Sequence, residues 1–219
     1  VAREVLARLP SAGGLRLIPV GTDYDVVVGR GLLVDAAARI SPLLPRGVER
    51  VLVIHAPPMS ALAARLVEGL RNGGVAAYLH AVPDAEAAKD VSVAADLWSL
   101  LGREGFTRSD AVVGLGGGTV TDLAGFVAAT WLRGVAVVQI PTTLAGMVDA
   151  AIGGKTGINT AEGKNLVGSF HPPAAVVCDL DTLVTLPPLD LVGGMGEVVK
   201  HGFIADPRTL ELIERDPVA

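Results

Sequence analysis

The feature that most constrains the fold is an alternation of short apolar runs with longer amphipathic segments. Apolar runs of about four to eight residues are typical of strands buried on both faces, and longer segments with apolar positions three and four apart are typical of helices. Strands that alternate with such helices form βαβ units, so the pattern predicts an α/β fold with a mostly parallel sheet. The predicted strands cover residues 24–28, 51–54, 75–82, 111–115 and 135–140, and the predicted helices cover residues 32–40, 60–70, 91–102 and 119–132.

The two ends of the chain have a different character. The first twenty residues predict only a weak amphipathic piece followed by a glycine-containing connector. Glycine, threonine and charged residues crowd residues 141–170, and the part with Asp149, Lys155, Lys164 and Asn165 is predicted to be a loop. One more apolar run predicts a strand over residues 175–178, and helices are predicted over residues 191–200 and 207–214. No closing element follows the last helix, so we expect it to begin a further part of the protein.

The composition argues against several classes of partner. The 219 residues carry a formal net charge of −5 and the sequence pI is about 5.3, which disfavours nucleic acids and anionic membranes as partners. Aromatic residues make up only 4% of the chain, so base-stacking platforms are not expected. No apolar stretch approaches the ~18 residues of a membrane span. The single cysteine, Cys178, lies in an apolar run and is predicted to be a buried thiol in a reducing, cytoplasmic environment.

A glycine triplet, Gly116-Gly117-Gly118, directly follows a predicted strand and opens a predicted helix. A helix N-terminus offers unpaired N–H groups and a positive dipole end, which suit a pyrophosphate. The dinucleotide fingerprint fails, however, because Thr119 and Thr121 stand where it needs a third small residue, and no acidic residue ends the next strand. A tight turn that needs positive φ explains the triplet equally well. Asp122, in the first helical turn, could also reach a ligand held there.

A second motif, Gly154-Lys155-Thr156, has the ending of a nucleotide-binding P-loop. The first glycine of that loop would fall at position 149, which is Asp149, and its charge would face the phosphates. The P-loop interpretation is therefore disfavoured. What remains is a segment with Asp149, Lys155, Lys164 and Asn165 among apolar neighbours. A solvated surface loop is the plain alternative, but lysines set among apolar residues favour an anionic ligand.

A third candidate lies in the predicted helix over residues 191–200 and just beyond it. Glu197 and His201 are four residues apart, which places them on one helix face and suits a metal ion. Lys200 is three residues from Glu197, so a plain Glu–Lys helical pair is the simpler interpretation, and spacing alone favours it. A metal would need further ligands, and the remaining histidines form no recognisable spacing.

Taken together, these segments resemble the 3-dehydroquinate synthases, a family of the sugar-phosphate cyclase superfamily. The resemblance begins near residue 24 and is most specific over residues 114–202. It implies an α/β NAD-binding domain with the active-site loop over residues 1–186, followed by the beginning of a mostly helical metal and substrate domain over residues 187–219, incomplete here. The segments that carry it are YDVVVGRGLL, PDAEAAKD, GGGTVTDLAGF, WLRG, PTTLAGMVDAAIGGKTGIN, EGKNLVGSFHPP, DLDTLVTLP and GMGEVVKHG.

The resemblance also implies a reaction. In this family 3-deoxy-D-arabino-heptulosonate 7-phosphate becomes 3-dehydroquinate and phosphate by transient NAD-dependent oxidation at C5, β-elimination of phosphate, re-reduction and an aldol cyclisation in the shikimate pathway. A divalent metal, zinc or cobalt, polarises the C5 oxygen. A cytoplasmic homodimer is expected. The close alternative is an aminodehydroquinate synthase of an antibiotic pathway, and the alternative from another class is a non-catalytic NAD-binding module.

Site residues follow from the resemblance position by position. The catalytic and substrate cluster is implied at Arg133, Asp149, Lys155, Lys164, Asn165 and Lys200. Cofactor contacts are implied at Asp84, Glu86, Lys89, Gly117, Gly118, Thr119, Asp122, Thr142, Thr143, Lys155, Lys164, Thr182, Leu183 and Thr185. Glu197 matches a metal ligand of the family. Lysine and arginine side chains suit a substrate that carries a carboxylate and a phosphate.

Some positions depart from the family pattern. His55 stands where many members have an aspartate for the adenosine, and Ala85 stands where glycine is common. Position 201 varies in the family, so the resemblance removes His201 as a ligand. The family's two metal-binding histidines fall beyond residue 219. We therefore expect these 219 residues alone to bind NAD weakly and not to turn over.

Overall fold

A computed structural model describes residues 15–21 and 23–215 of the chain. The amphipathic piece predicted at the start lies mostly outside these residues. The strands are β1 (Arg16–Val20), β2 (Tyr24–Gly29), β3 (Arg50–His55), β4 (Ala76–Ala81), β5 (Ala111–Gly116), β6 (Ala136–Pro141), β7 (Lys155–Thr160), β8 (Gly163–Phe170) and β9 (Ala175–Asp179). The α-helices are α1 (Ala36–Ile40), α2 (Ser60–Asn72), α3 (Val91–Arg103), α4 (Gly118–Thr130), α5 (Pro188–Ile204) and α6 (Pro207–Arg215).

Seven strands form one sheet in the order β1-β2-β9-β6-β5-β3-β4. All neighbouring pairs are parallel except β1 with β2. Strand β5, near the middle, is buried at every residue, as expected for a parallel strand covered on both faces. The predicted α/β fold with a mostly parallel sheet is confirmed, and β1 is an edge strand that the sequence analysis missed.

Helices cover both faces of this sheet because successive strand residues point to opposite sides. On β3, Val51 and Val53 belong to the core cluster that contains helix α2. Leu52 and Ile54 belong to the cluster on the other face, with α3 and α4. Each continuous apolar run therefore contributes side chains to both core clusters, one on each face of the sheet. No helix among the described residues has the length and apolar character that a membrane crossing requires.

The helix predicted over residues 32–40 is too long. Only Ala36–Ile40 is α-helical, because the segment before it turns at Gly31, whose φ is 65°. The N–H groups of Gly31 and Leu33 donate to the Asp179 carboxylate at 3.0 and 2.8 Å. These contacts with the end of β9 hold residues 31–33 outside the helix.

The segment with Asp149, Lys155, Lys164 and Asn165, predicted to be a loop, has regular structure, so that prediction is wrong. It contains a π-helical turn, Gly146–Ala150, and an antiparallel hairpin of β7 and β8. Gly157 and Gly168 face each other in this hairpin. A Cβ added to Gly168 would lie 2.2 Å from the Thr156 carbonyl oxygen. The glycines therefore allow close strand approach here, and they do not indicate flexibility.

A buried carboxylate, Asp110, ties the turn before β5 to the start of β3. It accepts hydrogen bonds from the N–H groups of Thr107 at 2.7 Å, Arg50 at 2.8 Å and Glu49 at 3.3 Å, and from the Thr107 hydroxyl at 3.0 Å. Burial alone would raise the pKa of the Asp110 carboxyl, but these hydrogen bonds together hold the pKa below its usual value.

We expect Asp110→Ala to lower the free energy of unfolding by about 2 kcal/mol at neutral pH, because it leaves backbone donors without their acceptor. The folded pKa is lowered, so the contribution of Asp110 exists above the unfolded pKa and is lost as the pH falls through the folded value. Urea unfolding curves of the two proteins should therefore converge in acid. Asp35→Ala, at an exposed carboxylate without a capping hydrogen bond, is the control; an equal loss there would contradict this account.

Candidate functional site

The carboxyl ends of the parallel strands meet at one edge of the sheet, and a cavity of 440 Å³ lies there. Its walls come from the segments after β3, β4, β5, β6 and β9. The chain order reverses between β3 and β5, and ligands bind α/β sheets at such switch points. The predicted cofactor residues that line this cavity are Asp84, Gly117, Gly118, Thr119, Thr142, Thr143, Thr182 and Thr185.

Helix α4 begins at this cavity. Gly117 precedes its first turn with φ −72°, and no side chain caps the helix. The interpretation of the triplet as a turn that needs positive φ is therefore wrong. A Cβ at Gly117 would instead lie 3.1 Å from Cγ2 of Thr143, and one at Gly116 would lie 2.8 Å from Cγ2 of Val120. The glycines bring strand, helix and the next loop close together and leave helix N–H groups open to an anion.

A buried ion pair stands beside this cavity. Lys89 is only 3% exposed, and its Nζ donates to Oδ2 of Asp122 at 2.6 Å. The same ammonium donates to Oδ1 of Asn165 on the hairpin. Burial raises the pKa of the Asp122 carboxyl above its usual value, and the hydrogen bond and charge of Lys89 offset only part of this rise. One lysine therefore joins the turn after β4, the first turns of α4 and strand β8.

Asn159 on β7 is a residue that the sequence analysis missed. Its side-chain amide donates to Oε1 of Glu86 at 2.7 Å, and its Oδ1 accepts from the Asn165 N–H at 2.9 Å. Its own N–H donates to the Lys89 carbonyl at 2.8 Å. The hydrogen bond from Asn159, more than the nearby Lys164, lowers the pKa of Glu86. The only signal in the sequence is its place in the GGKTGIN segment.

A second cavity of 410 Å³ lies between the hairpin and the π-helical turn, lined among others by Asp122, Asp149, Lys155 and Asn165. Oδ1 of Asp149 lies 3.4 Å from Nζ of Lys155 and 3.7 Å from Nζ of Lys200. The structure thus brings together most of the predicted substrate cluster. Lys164 lies apart, 72% exposed and 3.6 Å from Glu86.

Helix α5 contributes Glu197, Lys200 and His201 to this cluster. The helical ion pair predicted from spacing is present, since Lys200 donates to Oε2 of Glu197. This hydrogen bond, followed by the charge of Asp149, raises the pKa of the Lys200 ammonium. Ligand atoms of Asp149, Glu197 and His201 also lie within 4.8 Å of one another. The exclusion of His201 as a metal ligand, which rests on family variability, stays a prediction.

Some predicted residues lie outside both cavities. Arg133 sits exposed in the turn after α4 with φ 67°, and among the described residues no hydrogen bond or ion pair joins its guanidinium to the cluster. Leu183 packs against the core cluster that contains Val198. His55 is buried, and its Nδ1 lies 2.8 Å from the Ala56 carbonyl oxygen. The roles assigned to these residues remain predictions.

Solved structures of carbocycle-forming enzymes have this fold. A 2-epi-5-epi-valiolone synthase from Streptomyces hygroscopicus subsp. jinggangensis 5008, with NAD⁺ and Zn²⁺ bound, matches with a TM-score of 0.77 and 30% identity, over 90% of this chain and 54% of that one. A 2-deoxy-scyllo-inosose synthase complexed with carbaglucose-6-phosphate, NAD⁺ and Co²⁺ matches with a TM-score of 0.75 and 25% identity, over 86% and 52%. The class is that of the sugar-phosphate cyclases.

Sequence comparison gives the family. Residues 79–192 match the model of the 3-dehydroquinate synthase N-terminal domain. The 3-dehydroquinate synthases of Thermobifida fusca (strain YX) and Arthrobacter sp. (strain FB24) are 62% and 60% identical over 198 and 197 residues, 90% of this chain and 53% of each relative. The chain belongs to the 3-dehydroquinate synthase family, as its resemblance indicated. It spans about half the length of the curated relatives it matches.

We expect Lys89→Met to lower the free energy of unfolding by about 3 kcal/mol, because it leaves the Asp122 carboxylate buried without its cation. Loss of Lys89 should raise the pKa of Asp122 further above its unfolded value, so the variant should gain stability as the pH falls through that raised pKa. Urea unfolding at several pH values measures both effects.

The double variant Lys89→Met/Asp122→Asn is the matched control, because it removes both charges and keeps similar volumes. It should recover most of the lost stability. A double variant as unstable as Lys89→Met alone would show that the ion pair is not the cause.

Proposed function

We propose that the chain supplies the NAD-binding and anion-binding portion of a 3-dehydroquinate synthase that acts on 3-deoxy-D-arabino-heptulosonate 7-phosphate. The observation that carries this proposal is the adjacency of the two cavities: a Cβ built at Gly118, which lines the sheet-edge cavity, would lie 3.0 Å from Cβ of Ala150, which lines the second cavity. A cofactor in the first cavity and an anionic substrate in the second would therefore meet beside this contact. Relatives at about 60% identity named 3-dehydroquinate synthase favour this substrate over its amino analogue.

The sheet-edge cavity fits a dinucleotide. The uncapped N-terminus of α4 at Gly118 suits a pyrophosphate, and the carboxylate of Asp84 at the wall can accept hydrogen bonds from ribose hydroxyls. The threonines after β6 and β9 supply neutral hydroxyls around it. When bound, NAD⁺ would supply a hydride acceptor for the substrate's C5 alcohol.

The cluster around Asp149 fits a substrate with a carboxylate and a phosphate. Lys155 is 60% exposed and Lys200 is 44% exposed, so both ammonium groups are open to a ligand. The Asp149 carboxylate holds the two ammonium groups near one point, although like charges repel. An anion that enters would therefore meet a positive site already arranged to receive it.

Glu197 fits the role of a metal ligand from this chain. The Glu197 carboxylate already accepts a hydrogen bond from the Lys200 ammonium. Its ligand atom also lies within 4.8 Å of that of Asp149, which lines the second cavity. When bound, a zinc or cobalt ion would supply a Lewis acid beside the substrate hydroxyl. A cytoplasmic location and a homodimer stay predictions from the resemblance, as does the domain boundary near residue 186.

The cofactor proposal predicts that Asp84→Ala weakens NAD⁺ binding by about tenfold, which corresponds to one lost hydrogen bond to a charged group. Isothermal titration calorimetry of the chain with NAD⁺ measures it. Asp90→Ala is the matched control, since Asp90 also caps a helical segment, through the Ser92 N–H at 2.7 Å, and does not line the cavity. Equal affinities of all three proteins would contradict the placement of NAD⁺.

The substrate proposal predicts that Lys155→Ala weakens binding of the heptulosonate phosphate by at least about tenfold, because one charge-assisted contact is lost. Its far-UV circular dichroism should not change, since Lys155 is largely exposed. Calorimetry in the presence of NAD⁺ and Zn²⁺ measures the affinity. Arg108→Ala, which removes an exposed cation elsewhere, is the control.

Tighter binding of the amino analogue than of the heptulosonate phosphate would favour the antibiotic pathway over our choice. An unfolded Lys155→Ala variant would indicate a structural role for this lysine.

A further inference from the structure

The hairpin of β7 and β8 has an irregularity at Asn159. The pairing of the two strands shifts between Ile158 and Thr160, so that residues 164–166 of β8 form a bulge opposite Asn159 alone. Asn165, in this bulge, has a φ of 58° and lines the second cavity. Bulges are common beside active sites because they redirect a side chain. The bulge therefore sets where the Asn165 side chain points.

Asn159 holds this bulge through its side chain. Its Oδ1 accepts a hydrogen bond from the Asn165 N–H at 2.9 Å. A positive φ costs free energy for a residue other than glycine, and it persists where neighbouring contacts fix it. Oδ1 of Asn165 in turn accepts a hydrogen bond from the buried Lys89 ammonium. Asn159 thus fixes the backbone of a residue in the wall of the second cavity.

The remaining polar groups of Asn159 hold the turn after β4. Its side-chain amide donates to Oε1 of Glu86 at 2.7 Å, and its N–H donates to the Lys89 carbonyl at 2.8 Å. These contacts fix the 3₁₀ turn Ala85–Ala88, which follows Asp84 in the wall of the sheet-edge cavity. The first residue of this turn has a φ of 51°. Asn159 therefore also holds a strained segment at the first cavity.

One residue thus connects a strained backbone position at each cavity. Four non-glycine residues have positive φ in the part of the chain that the structure describes, and two of them, Ala85 and Asn165, lie in the segments that Asn159 holds. A ligand that orders one segment also orders Asn159. The second ligand then has less conformational entropy to lose, so the two binding events favour each other.

We propose that Asn159 is a positioning residue that couples the two cavities, so that a ligand in one raises the affinity of the other for its own ligand. The inference rests on the proposed function, which places the cofactor in the sheet-edge cavity and the substrate in the second. Asn159 is not part of either cavity wall as the described residues form it. It acts through Asp84 on one side and Asn165 on the other.

The test measures binding of ADP-ribose to the 219-residue chain by isothermal titration calorimetry, with and without saturating heptulosonate phosphate. ADP-ribose lacks the nicotinamide ring that would meet the substrate's C5, so the measurement reports coupling through the protein. We expect the substrate to tighten ADP-ribose binding by at least about fivefold in the unsubstituted chain and by less than about twofold in Asn159→Ala.

Thr160→Ala is the matched control on the same strand. It also removes a side-chain hydrogen bond, the one that Thr160 accepts from the Glu162 N–H at 3.3 Å. It should keep the fivefold effect of the substrate. Loss of the effect in this control as well would overturn the inference, because it would show that any change in the hairpin uncouples the cavities.

The strained turn gives a second measurement. In the absence of substrate, Asn159→Ala should weaken ADP-ribose binding by about fivefold, because the turn that follows Asp84 loses its hydrogen bond at Glu86. Adding Ala85→Gly should recover most of this loss, since glycine adopts a φ of 51° without the steric cost that alanine has. A packing defect unrelated to the strained turn would not be recovered in this way, and that result would overturn the inference.

The outcomes separate this inference from the proposed function. If both ligands bind but the substrate changes ADP-ribose affinity equally in the unsubstituted chain and in Asn159→Ala, the inference is overturned and the proposed function stands. If the unsubstituted chain binds neither ligand, both fail. Far-UV circular dichroism should show folded variants, because the side-chain contacts of Asn159 are only partly buried or exposed and water can replace the lost amide. An unfolded Asn159→Ala variant would assign a structural role instead and overturn the inference.

Discussion

Parallel pairing of six strands is the constraint on which the rest of the structure depends. Because β2, β9, β6, β5, β3 and β4 all run in one direction, every segment that follows one of them starts at the same edge of the sheet. Residues separated by more than a hundred positions, such as Asp84 and Thr185, therefore line one cavity. The chemistry of the site is a consequence of this geometry, since no single segment carries enough polar groups to bind a dinucleotide.

The buried ion pair of Lys89 and Asp122 connects this edge of the sheet to the hairpin of β7 and β8. A charged group that is almost fully removed from water persists only with a close partner, and here one ammonium is shared by Asp122 and Asn165. The pair fixes the hairpin of β7 and β8 against helix α4. Asn159 adds further hydrogen bonds to the same junction, one to the Glu86 carboxylate and one to the Lys89 carbonyl. The hairpin forms one wall of the cavity that contains Lys155 and Asp149.

Much of this fold could be predicted from the sequence, and the misses have specific causes. Strands β3 and β5 were found because both their faces are buried, which requires an unbroken apolar run. The hairpin was missed because Gly157 and Gly168 indicate flexibility by composition, whereas here they allow two backbones to approach closely. Helix α1 was predicted too long because hydrogen bonds to Asp179, far along the chain, hold residues 31–33 in a turn.

The candidate site shows the same difference between features set by local sequence and features set by contacts with distant residues. Local patterns indicated the uncapped start of helix α4 and the ion pair of Glu197 with Lys200, since both depend on spacing along one element. Spacing favoured that ion pair over a Glu197–His201 ligand pair. The third group, Asp149, comes from a different element, and only packing shows that it faces both. Asn159 had no signal beyond its place in the GGKTGIN segment, because its partners Glu86, Lys89 and Asn165 are brought to it by the fold.

The sequence by itself determined the fold class, the family and the residue types available for chemistry, because apolar periodicity and motif order are local properties of the chain. Only the tertiary structure decided which charges meet. Lys89 is buried against Asp122, Lys155 and Lys200 share Asp149, and His201 lies beside two carboxylates. The physical reason is that electrostatic energy depends on distance and on exclusion of water. Both quantities are set when distant segments pack together.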